Sequence, residues 1–389
     1  MNQTVKETKS ICAKVWAAFF VVLLAFTWKL WLPGFTNFPR VPLADWVSDS
    51  AFMAVHYVAM VLLVASLIAL FAGLLKDRLC AGGAAVSLAI IFCCNQHCLQ
   101  PWAWQMFIFT VLLALLPIGE ARKWIARVVI SIYLYSAIGK FDYQFIHSLG
   151  QEFLEVVLSW SGQSESISVS TKSKLVLLFP IGELLIAVGL LFRRTQYVAA
   201  WGAIGLHLAL VLILSPLGLG HRWPVVIWNG VSVLLVVWLF LLPQQPSESA
   251  NEKSSIAGRL AVAFAIVILA GPMLRPVQLW DHWLAWGLYS PSNSRVDLFI
   301  AESSQSRLDE SLHRHLIVSN EQFGSVRFAM DQWSLDELGV PIYPQARFQK
   351  GAAWKWLGQN DLLQRARLFE YSQSHPVTGE RSRKALKLP

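Results

Sequence analysis

The sequence predicts an all-α polytopic membrane helical bundle of about nine transmembrane helices, with a small α+β C-terminal extramembrane domain. Of its 389 residues, 55% are hydrophobic and only 14% are charged, whereas an ordinary soluble domain carries about 25% charged residues. Long apolar stretches alternate with short polar ones up to about residue 275, and the remaining composition is that of a soluble protein. Tryptophans at the ends of several apolar stretches are typical of the aromatic belts of membrane proteins.

Nine stretches are candidates for transmembrane helices, because a bilayer core needs about 20 apolar residues. They are residues 13–32, 52–75, 81–98, 102–118, 124–139, 175–192, 197–214, 222–242 and 256–273. The third to fifth are short and close together, so a count of about eight to ten is compatible with the pattern. The first stretch is expected to be a retained helix, since no small-residue cleavage site follows it.

The charges in the loops predict the orientation. The loops at residues 76–78, 120–127 and 193–194 are short and basic, whereas the loops on the opposite side are neutral or mildly acidic. By the positive-inside rule the N-terminus is cytoplasmic, and an odd helix count puts the C-terminal domain outside. These short basic loops favour a bacterial inner (plasma) membrane. They also account for the net charge of +8, so nucleic acid is not an expected partner.

We expect two domains, a transmembrane domain at residues 1–275 and a C-terminal domain at residues 276–389. Between the fifth and sixth spans, apolar residues recur at helical spacing over 141–160, which predicts an amphipathic helix at the outer leaflet. A serine-rich loop is predicted at 159–173, and a polar linker at 244–255.

Short apolar, partly alternating segments predict the strands of the C-terminal domain. The predicted strands are residues 296–301, 316–318 and 325–329, the predicted helices are 333–338 and 345–367, and the basic tail at 381–387 is expected to be solvated.

Glu183 and His207 lie inside predicted spans, where a charged group costs from about 2.5–3.5 kcal/mol upward. Both are roughly 10–12 Å from the outer ends of their spans, at a rise of about 1.5 Å per residue. Because the two spans are antiparallel, the side chains can meet at one depth. Two interpretations stay open, a proton-handling or ligand-orienting pair and a structural hydrogen bond between helices.

A polar cluster ends the third span on its outer side. It comprises Cys93, Cys94, Asn95, Gln96, His97 and Cys98. A zinc site needs three or four converging ligands, which the spacing does not provide, so no metal is expected. The cysteines are interpreted as small core residues, while His97 is expected at the outer mouth of the bundle beside Asn95.

Lys140 ends the fifth span, after Gly139 and two residues before Asp142. Desolvation at an apolar mouth favours the neutral amine, which can serve as a general base. The alternative is a lysine that snorkels to the membrane interface.

Taken in order, four segments resemble the HTTM family, the membrane domain shared with vitamin K-dependent gamma-glutamyl carboxylase. The segments are residues 95–97 (Asn-Gln-His), 135–142 (Tyr-Ser-Ala-Ile-Gly-Lys-Phe-Asp), 181–185 (Ile-Gly-Glu-Leu-Leu) and 205–208 (Gly-Leu-His-Leu). The carboxylase has an Asn-Asn-His stretch, a Lys-Leu-Asp stretch after a glycine-containing helix end, and a later intramembrane His-Leu. The resemblance covers roughly residues 10–275.

The resemblance implies an enzyme that oxygenates a reduced quinone at the outer mouth of the bundle. Carried over by position, Lys140 is the catalytic base and His97 its catalytic partner, with Asn95, Asp142, Glu183 and His207 in binding or supporting roles. The cofactor is then a reduced, vitamin K-like quinone. The carboxylase has a much larger lumenal part, so a smaller quinone-linked oxidoreductase is expected rather than a carboxylase-like lyase acting on the same kind of substrate.

Two other function classes stay open. The chain is also similar to the DoxX and MauE groups of small helical membrane proteins, which implies a non-catalytic, redox-associated or partner-binding protein. A transporter needs paired broken helices around a central site, and Pro180 marks only one such interruption. In each case the expected partners are the lipid bilayer and an unidentified small-molecule or protein substrate.

Overall fold

The structure is a computed structural model that describes residues 3–43, 49–243, 255–318 and 324–387; for residues 3–13 and 49 it describes the backbone alone. The fold is mostly helical, with one small antiparallel sheet near the C-terminus. The predicted polar linker at 244–255 lies, apart from Ser255, outside the described residues.

The helices of the N-terminal part are α1 (Gln3–Phe26), α2 (Trp28–Trp31), α3 (Asp49–Ala72), α4 (Asp77–Cys94), α5 (Pro101–Leu115), α6 (Ile118–Lys140), α7 (Tyr143–His147), α8 (Leu149–Trp160), α9 (Val169–Val176), α10 (Leu178–Leu191), α11 (Gln196–Leu214), α12 (Trp223–Val236) and α13 (Ile256–Ala270). A π-helical turn, Val237–Leu241, extends α12, and a 3-10 helix, Gly271–Val277, extends α13.

Six helices within the described ranges are long and apolar enough to cross a membrane, which indicates an integral membrane protein. They are Ser50–Ala72, Asp77–Cys94, Val169–Leu191, Gln196–Leu214, Trp223–Leu241 and Ile256–Val277. Helix α6 adds a seventh span if it is joined to α7 and α8, from which a 70° bend separates it. The apolar helices Lys14–Phe26 and Pro101–Leu115 are shorter, so the predicted count of nine is not confirmed.

The sixth predicted span begins earlier than expected. Residues 169–173, predicted as loop, belong to α9, and the helix breaks between Val176 and Leu178. Pro180 explains the break, because a proline lacks an amide hydrogen and its ring crowds the carbonyl four residues earlier, here that of Val176. The predicted amphipathic segment is helical as α7 and α8, which are separated at Ser148.

The C-terminal sheet has five strands in the order β2-β3-β1-β4-β5, with every neighbouring pair antiparallel. The strands are β1 (Arg295–Ala301), β2 (Leu316–Val318), β3 (Ser325–Phe328), β4 (Ala366–Tyr371) and β5 (Arg383–Leu386), and the helices are α14 (Met330–Leu338) and α15 (Ala346–Gln359). Leu298 lies opposite Phe328 and Leu368 in this register. On this face the Phe328 ring stacks on Trp356 of α15 at 4.2 Å between centroids, which forms the core of the sheet domain.

The three predicted strands are confirmed as β1, β2 and β3, whereas β4 and β5 were not predicted. Residue 366, the start of β4, falls inside the predicted helix 345–367, which instead ends at Gln359. Strand β5 lies within the basic tail and is exposed as an edge strand. Strand β4 pairs with β1, and β5 pairs with β4. The local pattern does not reveal such long-range pairing.

The C-terminal part packs on one end of the helical bundle. Lys29 of α2 pairs with Glu337, and Arg222 before α12 pairs with Asp336. The Tyr143 amide donates to the Pro376 carbonyl. One hydrophobic cluster continues from Ala17 to Leu368 across this contact. The division into domains at residue 275 stays a prediction.

Candidate functional site

Lys140 and Glu183 form a buried ion pair at the end of α6. The ammonium of Lys140 is 2.7 Å from both carboxylate oxygens of Glu183 and 2.6 Å from the hydroxyl of Ser136. The side chain of Lys140 is only 3% exposed, so the snorkelling interpretation does not describe its position. All three ammonium hydrogens therefore have acceptors within the bundle.

Helix geometry explains this position. Helical side chains tilt toward the N-terminus of their helix, so a lysine at the last residue of α6 points back over the preceding turn, where Ser136 lies. Helix α10 packs against α6 and brings Glu183 to the same level. Removing one partner of such a buried pair leaves an uncompensated charge, at a cost of about 3–5 kcal/mol.

His207 lies in a second polar chain beside the ion pair. Its Nε2 is 2.7 Å from the Tyr133 hydroxyl, and its Nδ1 is 2.9 Å from Oδ1 of Asn229. The Asn229 amide group donates to the Val225 carbonyl, so the oxygen of Asn229 faces the imidazole. Nδ1 of His207 therefore donates, and Nε2 accepts from Tyr133.

A small cavity of about 60 Å³, the polar cavity, joins these two groups. Its polar lining comprises Gln105, Tyr133, Ser136, Lys140, Glu183, His207, Trp228, Asn229 and Ser232. Glu183 and His207 thus share one cavity, as their depths predicted, but the hydrogen-bond partner of Glu183 is Lys140. A cavity of this size and polarity can hold a few water molecules.

A larger cavity of about 520 Å³, the outer chamber, lies between the end of the bundle and the C-terminal sheet domain. Trp102, Trp228, Trp283, Tyr289 and Phe328 supply its aromatic lining. Three residues, Trp228, Leu288 and Tyr289, line both the outer chamber and the polar cavity. The outer chamber is therefore separated from the ion pair by only a thin layer of side chains.

Two buried polar atoms belong to residues that line the outer chamber. The Tyr289 hydroxyl and Nδ1 of His282 have no hydrogen-bond partner among the described residues. Nε2 of His282 binds the Ser290 carbonyl at 2.8 Å. Burial and the nearby charge of Arg275 lower the pKa of His282 well below its usual range, so this imidazole is neutral. Both atoms are closed off from solvent, so an occupant of the outer chamber reaches them only if their side chains move.

The structure places His97 away from Lys140. Its Nε2 is 3.2 Å from the Pro341 carbonyl and from the Ser334 hydroxyl, and its ring packs between Phe38 and Phe348. Asn95 accepts from the amide of His97 and so caps the short helix Gln96–Cys98. His97 lines neither the polar cavity nor the outer chamber. The predicted pairing of Lys140 with His97 is absent from the described contacts, and Glu183 occupies the partner position.

Asp142 connects the end of α6 to the C-terminal part. One of its carboxylate oxygens caps α7 by accepting from the Phe145 amide, and the other accepts from the Ser290 hydroxyl at 3.0 Å. Ser290 in turn contacts Ser292, which accepts from Arg275. Asp142 thereby fixes the chain directly after Tyr289.

The cysteine cluster supports no metal site within the described ranges. Cys94 and Cys98 are buried and Cys93 is exposed, and all three are free thiols. Among the described residues, no group of three or more histidine, cysteine, aspartate or glutamate side chains could hold a metal ion.

Several residues of the site were not identified from the sequence, namely Gln105, Tyr133, Ser136, Trp228, Asn229, His282 and Tyr289. Tyr133, Ser136 and Lys140 are spaced three and four residues apart, which places them on one helix face, and that signal was available. Asn229 likewise interrupts an apolar stretch. Tyr289 carried no comparable signal, because its position depends on how the C-terminal domain docks.

Comparison with protein-family models, with curated proteins and with solved structures found no match. The resemblance to the HTTM family therefore stays a prediction.

Proposed function

We propose that this protein is a membrane enzyme in which Lys140, held by Glu183, exchanges a proton with a substrate bound in the outer chamber. One observation carries the proposal: a buried lysine and carboxylate pair lines a small polar cavity, and this cavity shares three lining residues with a chamber of ligand size. Ionisable residues within membrane bundles are expensive and usually functional. Their position next to a cavity favours proton transfer over a purely structural role.

The outer chamber has the properties of a ligand site. Its volume of about 520 Å³ falls within the range of about 300–1,000 Å³ that is usual for small-molecule pockets. Its tryptophans offer flat apolar surfaces, and its lining residues Tyr289 and His282 each carry a buried polar atom without a partner among the described residues. The polar cavity, at about 60 Å³, is too small for a ring system.

A reduced quinone, the cofactor that the HTTM resemblance implies, fits the outer chamber by the volume and the aromatic lining of that chamber. The aromatic lining would hold its ring, and the Tyr289 hydroxyl would hydrogen-bond its oxygen. When bound, such a group supplies two electrons for an oxidative reaction. The residues of this chain would exclude water, orient the ring and hold or remove a proton at the amine of Lys140. This amine is a base only after it has passed its own proton to the carboxylate of Glu183.

We further propose that the outer chamber faces the outside of a bacterial inner membrane, with the N-terminus cytoplasmic. The basic residues Arg78, Lys123 and Arg193 lie at the end of the bundle opposite the C-terminal part, which supports a cytoplasmic location for that end by the positive-inside rule.

The test is oxidation of a reduced menaquinone analogue by the protein in nanodiscs, measured by absorbance under air. We expect a higher oxidation rate with the wild type than with empty nanodiscs. The single variant Lys140→Met and the double variant Lys140→Met/Glu183→Met should lose at least about 90% of that rate, because removal of a general base typically costs 10²–10⁴-fold. The double variant is the matched control for folding, since it removes both charges together. Full oxidation by a folded double variant would exclude the role of Lys140.

A second candidate function is supported by the saturation of the ammonium of Lys140, whose three hydrogens all have acceptors. A fully satisfied pair also suits a structural fastening of α6 to α10 in a non-catalytic, DoxX- or MauE-like protein that binds a partner. This candidate predicts that lipid extracts of the purified protein contain no quinone. It also predicts that the double variant Lys140→Met/Glu183→Met still binds the partner in cells.

A further inference from the structure

Three residues, Trp228, Leu288 and Tyr289, separate the two cavities, and we call the consecutive pair Leu288 and Tyr289 the partition. Both residues line the polar cavity and the outer chamber. The partition connects two fixed points of the chain, because the Gly287 amide donates to the His282 carbonyl at 2.9 Å and the Ser290 carbonyl accepts from the His282 ring at 2.8 Å. His282 thus anchors both ends of a two-residue link.

The backbone of this link is strained. Tyr289 has a φ of 55° and Trp286 a φ of 58°, a region that bulky residues rarely adopt because the side chain crowds the carbonyl. Gly287 lies between them, and a side chain there would overlap the His282 ring, since the nearest ring atom would be 2.6 Å from an added Cβ. Strained backbone of this kind is concentrated at clamps and switch regions.

The side chain of Tyr289 is held by packing alone within the described part of the chain. Its ring contacts Phe153 at 5.3 Å and His221 at 6.5 Å between centroids, and its hydroxyl has no hydrogen-bond partner. Burial and the charge of Glu183 raise the pKa of this phenol, which places the neutral hydroxyl within the field of the ion pair. Moving the ring therefore breaks no hydrogen bond of the side chain among the described residues.

The volumes show why movement is needed. The outer chamber admits a molecule of ligand size, whereas the polar cavity admits only a few atoms. Lys140 borders the polar cavity and not the outer chamber. A substrate in the outer chamber can contact the amine only after the partition is displaced.

We propose that Tyr289 is a movable partition that controls which molecules reach Lys140, and hence a specificity-determining residue of the site. This inference rests on the proposed function in assigning the chemistry to Lys140. The displacement itself is a property of the chain that can be measured without any substrate.

The test is the rate at which acetic anhydride acetylates Lys140, followed by peptide mass spectrometry in detergent and normalised to the exposed Lys384 of the same molecule. We expect slow but measurable acetylation in the wild type and an increase of at least about tenfold in Tyr289→Ala, because access no longer waits for a minor open state. Tyr289→Phe keeps the ring and should react like the wild type, whereas the larger ring of Tyr289→Trp should slow the reaction.

The matched control is Leu335→Ala, which enlarges the outer chamber at a residue that does not line the polar cavity. It should leave the rate at Lys140 unchanged. Equal rates in Tyr289→Ala and the wild type, or an equal rise in Leu335→Ala, would show that access does not pass Tyr289. A wild-type Lys140 that never reacts, beside a reactive Tyr289→Ala, would show a fixed wall and overturn the inference. None of these outcomes depends on quinone oxidation.

Discussion

At the scale of residues, the candidate site is organised around the buried ion pair of Lys140 and Glu183. Lys140, Glu183 and His207 stood out because charge inside apolar stretches is expensive. That Lys140 would meet Glu183 rather than His97 depends on the packing of α6 against α10, which no local pattern encodes. His97 was a candidate because of its residue type and its predicted place at the outer mouth of the bundle. In the structure it joins the bundle to the loop before α15.

We predict that His97 makes the protein sensitive to acid. Burial lowers the pKa of His97 from 6.5 to about 4 in the folded protein. Between these pH values the unfolded chain binds a proton at His97 that the folded chain excludes. The free energy of unfolding therefore keeps its full value above about pH 6.5 and decreases by roughly 3 kcal/mol as the pH falls toward 4. Thermal unfolding followed by tryptophan fluorescence from pH 7.5 to 4 measures this loss.

The variant His97→Gln should remove that part of the acid sensitivity, while His147→Gln, at an exposed histidine, should behave like the wild type. His221, His282 and His315 also have pKa values lowered mainly by burial and contribute in the same direction. A pH profile of His97→Gln identical to the wild-type profile would contradict the assignment.

At the scale of elements, the sequence predicted the long apolar helices and some of the interruptions between them. Pro180 gave a local signal for the interruption between α9 and α10. The bend of 70° between α6 and the following pair of helices agrees with the separate amphipathic helix predicted over 141–160, although the sequence did not predict its angle. In the C-terminal domain, β1 to β3 show apolar patterning, whereas β4 and β5 carry arginine and lysine and are strands because they pair with a sheet already formed.

We predict that Gly150→Ala weakens the docking of α8. An added Cβ would lie 2.4 Å from Cγ1 of Val176 in α9 and 2.7 Å from the Phe145 carbonyl, and the backbone atom cannot easily move away. We expect a loss of about 1–3 kcal/mol, the usual cost of overpacking, measured as a lower unfolding temperature in detergent.

Gly182→Ala is the matched control, because it also replaces a helical glycine but meets nothing within 4 Å. It should be neutral or stabilising by up to about 1 kcal/mol, since alanine favours helix. Equal destabilisation by both variants would refute the packing explanation.

At the scale of the whole molecule, the C-terminal part covers one end of the bundle and completes the outer chamber. The paired side chains of Arg347 and Asp281 lie at this contact, and Arg347 also donates to Gln96 at 3.0 Å. The sequence predicted an appended domain from its composition, but not that its residues would form a wall of the outer chamber, because that depends on contacts between distant parts of the chain.

We predict the orientation of these ends from the basic loops. In a Cys93→Ser background, a membrane-impermeant maleimide added to intact spheroplasts should label Ser382→Cys, and should label Asp77→Cys only after permeabilisation. Both positions are exposed and lie at opposite ends of the bundle. Labelling of Asp77→Cys alone in intact cells would reverse the proposed topology.

The anchoring of Tyr289 by His282 and Ser290 has a consequence for biogenesis. The polar cavity is bounded by helices that enter the bilayer early in synthesis, yet its outer boundary comes from a segment made after the last of them. The amine of Lys140 is therefore enclosed only when the segment that follows the last apolar helix has been made and has folded back on the bundle. The enclosed polar cavity thus cannot form until synthesis has passed the last apolar helix.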